Sequence, residues 1–190
     1  MASVEIEARY RVDEPQRLVE RLEAIGVCLS LPVDQDDQAY APLSWRYGMD
    51  RIGVPFARLR TEGDQHLFTV KTPISDVRTC RERETVVADR AAMHEAILMM
   101  GFRPTVQIRK RRRRAWVADG HTVCVDEVEH AGWFVEVEAL AEPDDDHEAV
   151  RAGLEWWIDS LRIATSRVTE SYDTIVRAAV GESSRAETAA

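Results

Sequence analysis

Cysteine is scarce and widely spaced: Cys28, Cys80 and Cys124 are the three in 190 residues. They offer neither a disulfide framework nor a CxxC metal knuckle, so three buried thiols in a reducing cytoplasm are expected. The histidines, His66, His94, His121, His130 and His147, show no ligand spacing, which sets zinc chemistry aside. No apolar run approaches the ~18 residues of a membrane span. The opening Met1-Ala-Ser-Val-Glu-Ile-Glu carries acids where a secretion leader needs a basic and then apolar stretch. Positive charge is in deficit, with 25 Lys and Arg against 34 Asp and Glu and a net charge of −9. That excludes a general nucleic-acid-coating role and leaves room for a local basic site.

What is present is a globular composition, 45% hydrophobic and 31% charged, at a length that suits one domain with a sizeable core. Residues 1–181 are expected to form that domain, and 182–190, small and polar, a disordered tail. The charges cluster. Arg109 to Arg114 is an unbroken basic run, and Glu142 to Glu148 an acidic loop. Several segments alternate charge with apolar residues, as strands do. Val4 to Tyr10 puts Glu5, Glu7 and Arg9 on one face. Arg58 and Arg60 share a face, as do Thr69 and Lys71, and Glu136 and Glu138.

One such strand is what any sheet with a wet face shows. Here the wet faces are built almost wholly of Glu, Arg and Lys, and like charges side by side repel unless something sits between them. Paired carboxylates suggest a cation, and paired arginines an anion. In the basic run Val106 and Ile108 are expected to face a core, which would turn Arg109, Arg111 and Arg113 toward the other charges. Its apolar flanks also favour a sheet strand over a nucleic-acid-binding patch.

Helices are expected between the strands. Asp13 would cap one carrying Leu18, Leu22 and Ile25 and ending at Gly26. Asp89 would cap another with Met93, Ile97 and Met100, ending at Gly101. A third starts near His147, and a fourth follows Ser166. About eight mostly antiparallel strands with helices outside would curl into a barrel with the charged faces inside. Such an interior needs bound ions or ligand, because buried unpaired charge is costly.

In this order the motifs resemble those of the CYTH superfamily, the triphosphate tunnel metalloenzymes. Glu5-Ile6-Glu7-Ala8-Arg9 is similar to the family's Glu-x-Glu-x-Lys. Phe56-Ala57-Arg58-Leu59-Arg60 and Phe68-Thr69-Val70-Lys71 resemble its next two strands. Arg81-Glu82-Arg83-Glu84, the basic run, Val125-Asp126-Glu127-Val128, Gly132 to Glu138 and Ser171-Tyr172 follow in sequence, covering residues 4 to about 176. There are departures. The Tyr-Phe-Asp-Thr-Pro element survives only as Ala39-Tyr40-Ala41-Pro42. Glu170 stands where a basic residue is usual, with Arg167 as a substitute. The His-Phe pair of the class IV adenylyl cyclases is absent.

The resemblance implies an α+β fold, an eight-stranded antiparallel tunnel with helices outside, that binds a triphosphate with Mg²⁺ or Mn²⁺. Glu5, Glu7, Glu136 and Glu138, with Asp126 as a weaker member, are the expected metal ligands, since these cations prefer hard oxygen donors. Arg9, Arg58, Arg60, Lys71, Arg109, Arg111, Arg113 and Arg167 are the expected phosphate ligands, with Lys71, Arg58 and Arg60 nearest the chemistry. Glu82 and Glu84 read equally well as ion-pair partners of tunnel arginines, and Arg112 and Arg114 as solvated. The first expectation for activity is hydrolysis of the terminal phosphate of inorganic, nucleoside or thiamine triphosphate. An adenylyl cyclase and a non-catalytic triphosphate-binding module are the alternatives. The expected partner is a small triphosphate, without nucleic acid or membrane, and a homodimer is conceivable.

Overall fold

The computed structural model describes residues 4–188, with side chains up to residue 181. In chain order the elements are β1 (Val4–Val12), α1 (Pro15–Ala24), β2 (Val33–Pro42), β3 (Phe56–Glu62), β4 (Gln65–Pro73) and β5 (Thr79–Val87). They continue with α2 (Arg90–Met99), β6 (Phe102–Trp116), β7 (Thr122–Val128), β8 (Gly132–Ala141), α3 (His147–Ser160), β9 (Thr165–Val168) and α4 (Tyr172–Thr188).

The strands run β5-β4-β3-β2-β6-β7-β8-β1, every neighbour antiparallel. The sheet closes on itself where Val4, Glu5 and Ile6 of β1 pair with Arg81, Cys80 and Thr79 of β5. Closure removes the free edges of the eight strands. β9 lies against the C-terminal half of β1.

Alternation along β1 sends Val4, Ile6, Ala8 and Tyr10 outward. There they form one core with Val123, Val125, Val135, Val137 and the apolar stripes of α1 and α3. α2 covers the opposite wall, with Ile97 packed on Tyr40, Ala57 and Leu59. Asp89 caps α2 by accepting from the amides of Ala91 and Ala92, as its position in the sequence suggests. α1 departs from expectation. It opens at Glu14 with Pro15 in the first turn and no side-chain cap, and Ile25 is exposed. The segment after Ser166 also departs, because 165–168 adds a strand to β1 and the helix starts at Tyr172. α4 carries helix through residue 188, across most of the stretch expected as a tail; residues 189–190 lie outside the described residues. Of the three thiols expected to be buried, Cys80 and Cys124 are buried and Cys28 is exposed.

The third apolar cluster decides how the tunnel is built. Ile108 on β6, Val128 and Phe134 are buried together with Tyr172 and Val176 of α4. α4 therefore seals one end of the barrel with apolar contacts made by inward-facing residues. Among the described residues no helix is long and apolar enough to cross a membrane.

Candidate functional site

Because opposed residues in an antiparallel pair point to the same face, the register determines which side chains meet inside. Glu7 faces Glu138, and Arg9 faces Glu136. Glu136 faces Cys124, Asp126 faces Phe134, and Arg112 faces Asp126. Arg60 faces Asp37, and Lys71 faces Glu82. Arg9–Glu136, Arg112–Asp126, Arg60–Asp37 and Lys71–Glu82 thus set base against acid on adjacent strands, and Glu7–Glu138 sets acid against acid.

A cavity of about 170 Å³ opens among Glu5, Glu7, Arg9, Asp37, Arg58, Lys71, Lys110, Arg112, Glu136 and Glu138. The charges are paired. Arg9 donates to Glu136 at 2.5 Å, to Glu7 at 2.7 Å and to the carbonyl of Glu170 at 2.7 Å, with its guanidinium over the Tyr172 ring. Arg60 grips Asp37 at both oxygens, 2.6 and 2.7 Å. Lys71 lies 2.5 Å from Glu5 and from Glu82. Arg58 reaches Thr69 at 3.0 Å and Glu84 at 3.1 Å. Arg112 joins Asp126 at 2.7 Å and also contacts Glu136. The pairs of Arg9, Arg60 and Arg112 are desolvated, while those of Arg58 and Lys71 are partly exposed.

Three of the carboxylates gather in one place. Glu7, Glu136 and Glu138 bring one oxygen each to within 4.8 Å of one another. Burial, with Glu136 and Glu5 nearby, pushes the Glu7 carboxyl up to about 7. Burial also raises Glu138, beside Glu5 and Glu136. Glu136 goes the other way: burial opposes ionisation, but Arg9 and Arg112 hold its carboxyl well below the usual range. Three crowded carboxylates, two of them resisting ionisation, are what a hard divalent cation would relieve. The donor set therefore fits Mg²⁺ or Mn²⁺. Glu5 is turned to Lys71, with its carboxyl lowered because Lys71 outweighs the effect of burial. Asp126 is fully buried and takes donors from Lys110 at 3.1 Å, Arg112 and the Tyr172 hydroxyl at 3.0 Å. It serves there as a counter-ion, outside the carboxylate triad.

The expected residues divide accordingly. Glu5, Glu7, Arg9, Arg58, Lys71, Glu136 and Glu138 line the cavity, and Arg60 stands behind it on Asp37. The register expected for β6 is corrected. Arg109 and Arg111 are 59% exposed and paired to surface acids, and Arg113 donates outward to the carbonyl of Ser30. Lys110 and Arg112 point inward. By periodicity alone Val106 and Ile108 read as outer-core residues. Ile108 instead packs inside, against the helix that closes that end. Arg167 is also outside the tunnel, on β9, paired with Glu155.

Lys110, Arg112, Asp37, Tyr172 and Arg51 also line the cavity, and strand-by-strand reading places none of them there. Asp37 had a signal in the Asp34-Gln35-Asp36-Asp37 run, one strand from Arg60. Arg51 had none, since it lies in the 43–55 loop.

A family model described as the CYTH domain matches residues 3–172. A protein of Methanocaldococcus jannaschii, provisionally named an adenylate cyclase, is 26% identical over 137 residues, which are 71% of this chain and 76% of that protein. Two solved structures share the fold. One, from Vibrio parahaemolyticus and also provisionally named an adenylate cyclase, has a TM-score of 0.74 at 19% identity, over 93% of this chain and 99% of that one. The other, from Hippeastrum, is described as an adenylyl cyclase candidate with a dominant triphosphatase activity. Its TM-score is 0.63 at 16% identity, over 93% and 95% of the two chains.

Proposed function

The chain belongs to the CYTH domain family, and from that premise we propose that it is a divalent-metal-dependent triphosphatase that hydrolyses the terminal phosphate of a triphosphate held in the barrel. One observation carries the proposal: the Glu7, Glu136 and Glu138 triad opens into the same chamber as Arg9, Arg58, Lys71, Lys110 and Arg112. Cations for the phosphates and a carboxylate seat for a metal share one desolvated space, where electrostatic stabilisation is strongest.

Glu7, Glu136 and Glu138 would hold Mg²⁺ or Mn²⁺, which when bound supplies Lewis-acid neutralisation of phosphoryl oxygen. Arg9, Arg112, Lys110, Lys71 and Arg58 then bind and orient the chain of phosphates. Each already sits against a carboxylate, so phosphate oxygens exchange for carboxylates without exposing a bare cation. Asp37 and Asp126 stay behind to fix Arg60, Lys110 and Arg112 in place. α4 excludes water from one end through Tyr172, Phe134 and Ile108. Hydrolysis needs nothing more than an in-line water at the terminal phosphorus.

The cyclase reading is favoured by the names of relatives. It requires in addition that a ribose hydroxyl be held against the α-phosphorus, and the chain lacks the His-Phe pair of the cyclases it resembles. The test is incubation with Mg²⁺ or Mn²⁺ and a panel of triphosphates, with orthophosphate, pyrophosphate and cyclic nucleotide all measured. Orthophosphate as the main product is expected. Cyclic AMP with stoichiometric pyrophosphate would promote the cyclase, and tight binding without turnover the non-catalytic module.

A further inference from the structure

Two cations of the chamber come from no strand: Arg78, just ahead of β5 and facing Asp76 and Glu155, and Arg51. Arg51, in the 43–55 loop, lines the same cavity as Glu5, Lys71 and Lys110. Its guanidinium is fixed over the Phe56 ring at 4.3 Å and over Trp45 at 5.4 Å. Its hydrogen bonding is incomplete. Nη1 donates to the Ser171 hydroxyl at 2.9 Å and reaches both Asp173 oxygens only at 3.3 Å. A charge-assisted bond is ordinarily about 2.7–2.9 Å. Nε is buried with no acceptor among the described residues. Asp173 is meanwhile engaged by the Ser171 hydroxyl. The guanidinium is held at the right place by aromatic rings, paired loosely, and short of an acceptor.

We propose that Arg51 is a phosphate-binding residue of the tunnel, exchanging the Asp173 carboxylate for a phosphoryl oxygen of the bound triphosphate. This rests on the triphosphate reading above and adds a ligand from outside the barrel wall. A phosphoryl group offers three oxygens and more charge than a carboxylate, so it can satisfy Nε and Nη1 together, which Asp173 does not. The exchange need not undock α4. Arg177 of that helix stacks on Tyr47 of the same loop at 3.8 Å, and this contact is independent of Arg51.

The experiment is calorimetric titration of the full chain with tripolyphosphate, divalent metal withheld so that it is not turned over, comparing the wild type with Arg51→Gln, Arg51→Lys and Asp173→Asn, each checked by its melting temperature. Loss of a charge-assisted hydrogen bond predicts roughly 10- to 100-fold weaker binding for Arg51→Gln, with part recovered in Arg51→Lys. Asp173→Asn removes the competitor and should tighten binding about 3- to 10-fold, by the same arithmetic. Opposite signs in the two loop–helix variants are the signature, because a residue that only anchored α4 would give the same sign in both. If Arg51→Gln fails to fold, tightening in Asp173→Asn still supports the assignment. Wild-type binding with Arg51→Gln unchanged, or with Asp173→Asn weakened, overturns the assignment alone. A wild type that does not bind tripolyphosphate overturns it together with the triphosphate reading.

Discussion

Glu136→Gln separates the fold from the chemistry. The substitution keeps the size of a side chain that is only 2% exposed and one acceptor oxygen, and removes its charge. Neither partner is stranded, because Arg9 keeps Glu7 at 2.7 Å and Arg112 keeps Asp126 at 2.7 Å. The cost is therefore a weakened pair of charge-assisted bonds, about 2 kcal/mol, and not the 3–5 kcal/mol (approximately) of an abandoned buried charge. At about 2–4 °C per kcal/mol for a domain of this size, the melting temperature should fall by roughly 4–8 °C. Turnover should suffer far more. With one member of the carboxylate triad neutral, phosphate release should drop at least ~100-fold, equivalent to about 2.7 kcal/mol of barrier. Thermal melts and phosphate release across a Mg²⁺ titration read the two effects separately. Wild-type turnover with an unchanged Mg²⁺ half-saturation would refute the assignment of Glu136 to the metal seat. Outright unfolding would refute the argument that Glu7 and Asp126 back it up.

The register of β6 can be tested by a neighbouring pair. Arg111→Ala, on the wet face, should change stability by less than about 0.5 kcal/mol and leave turnover intact, whereas Arg112→Ala leaves Asp126 and Glu136 under-compensated and should cost about 3–5 kcal/mol in a denaturant melt. Arg167→Ala, whose side chain is 46% exposed beside Glu155, should leave turnover within about twofold, as expected of a surface pair. Burial would raise the Asp37 carboxyl, but hydrogen bonds from Arg60 and the charge of Arg58 hold it below its ordinary 3.8. Its stabilisation is complete above that value and is lost as pH falls below it, so Asp37→Asn should lower stability at neutral pH and flatten the acid limb of an equilibrium-unfolding profile. Tripolyphosphate with Mg²⁺ at 100 times its dissociation constant should stabilise the folded chain by about 2.7 kcal/mol, roughly 5–10 °C in a melt.

The barrel and most of its inner wall were legible because period-2 alternation is a local signal. Glu5, Glu7 and Arg9, or Glu136 and Glu138, declare a shared face within a few residues. β6 failed because alternation gives two faces without saying which is inside. Val106 and Ile108 look like outer-core residues until α4, more than sixty residues later, is seen to bury Ile108 against Tyr172 and Val176. The partners were invisible for a similar reason. That Asp126 serves Lys110, Arg112 and Tyr172, and that Glu5 turns to Lys71, depends on strand neighbours distant in sequence. Arg51 belongs to no periodic pattern at all.

The seam between β1 and β5 has a consequence for how the chain acquires its shape. β1 precedes the other strands, yet its long partner is β8, and Arg9 waits 127 residues for Glu136. Until then its available neighbour is a three-residue stretch of β5. A nascent chain stopped before residue 132 would hold an open, curled sheet that can pair Arg60 with Asp37 and Arg112 with Asp126 but leaves Arg9 without Glu136. Closure is therefore a late, long-range event, of the kind that makes β-rich proteins fold slowly.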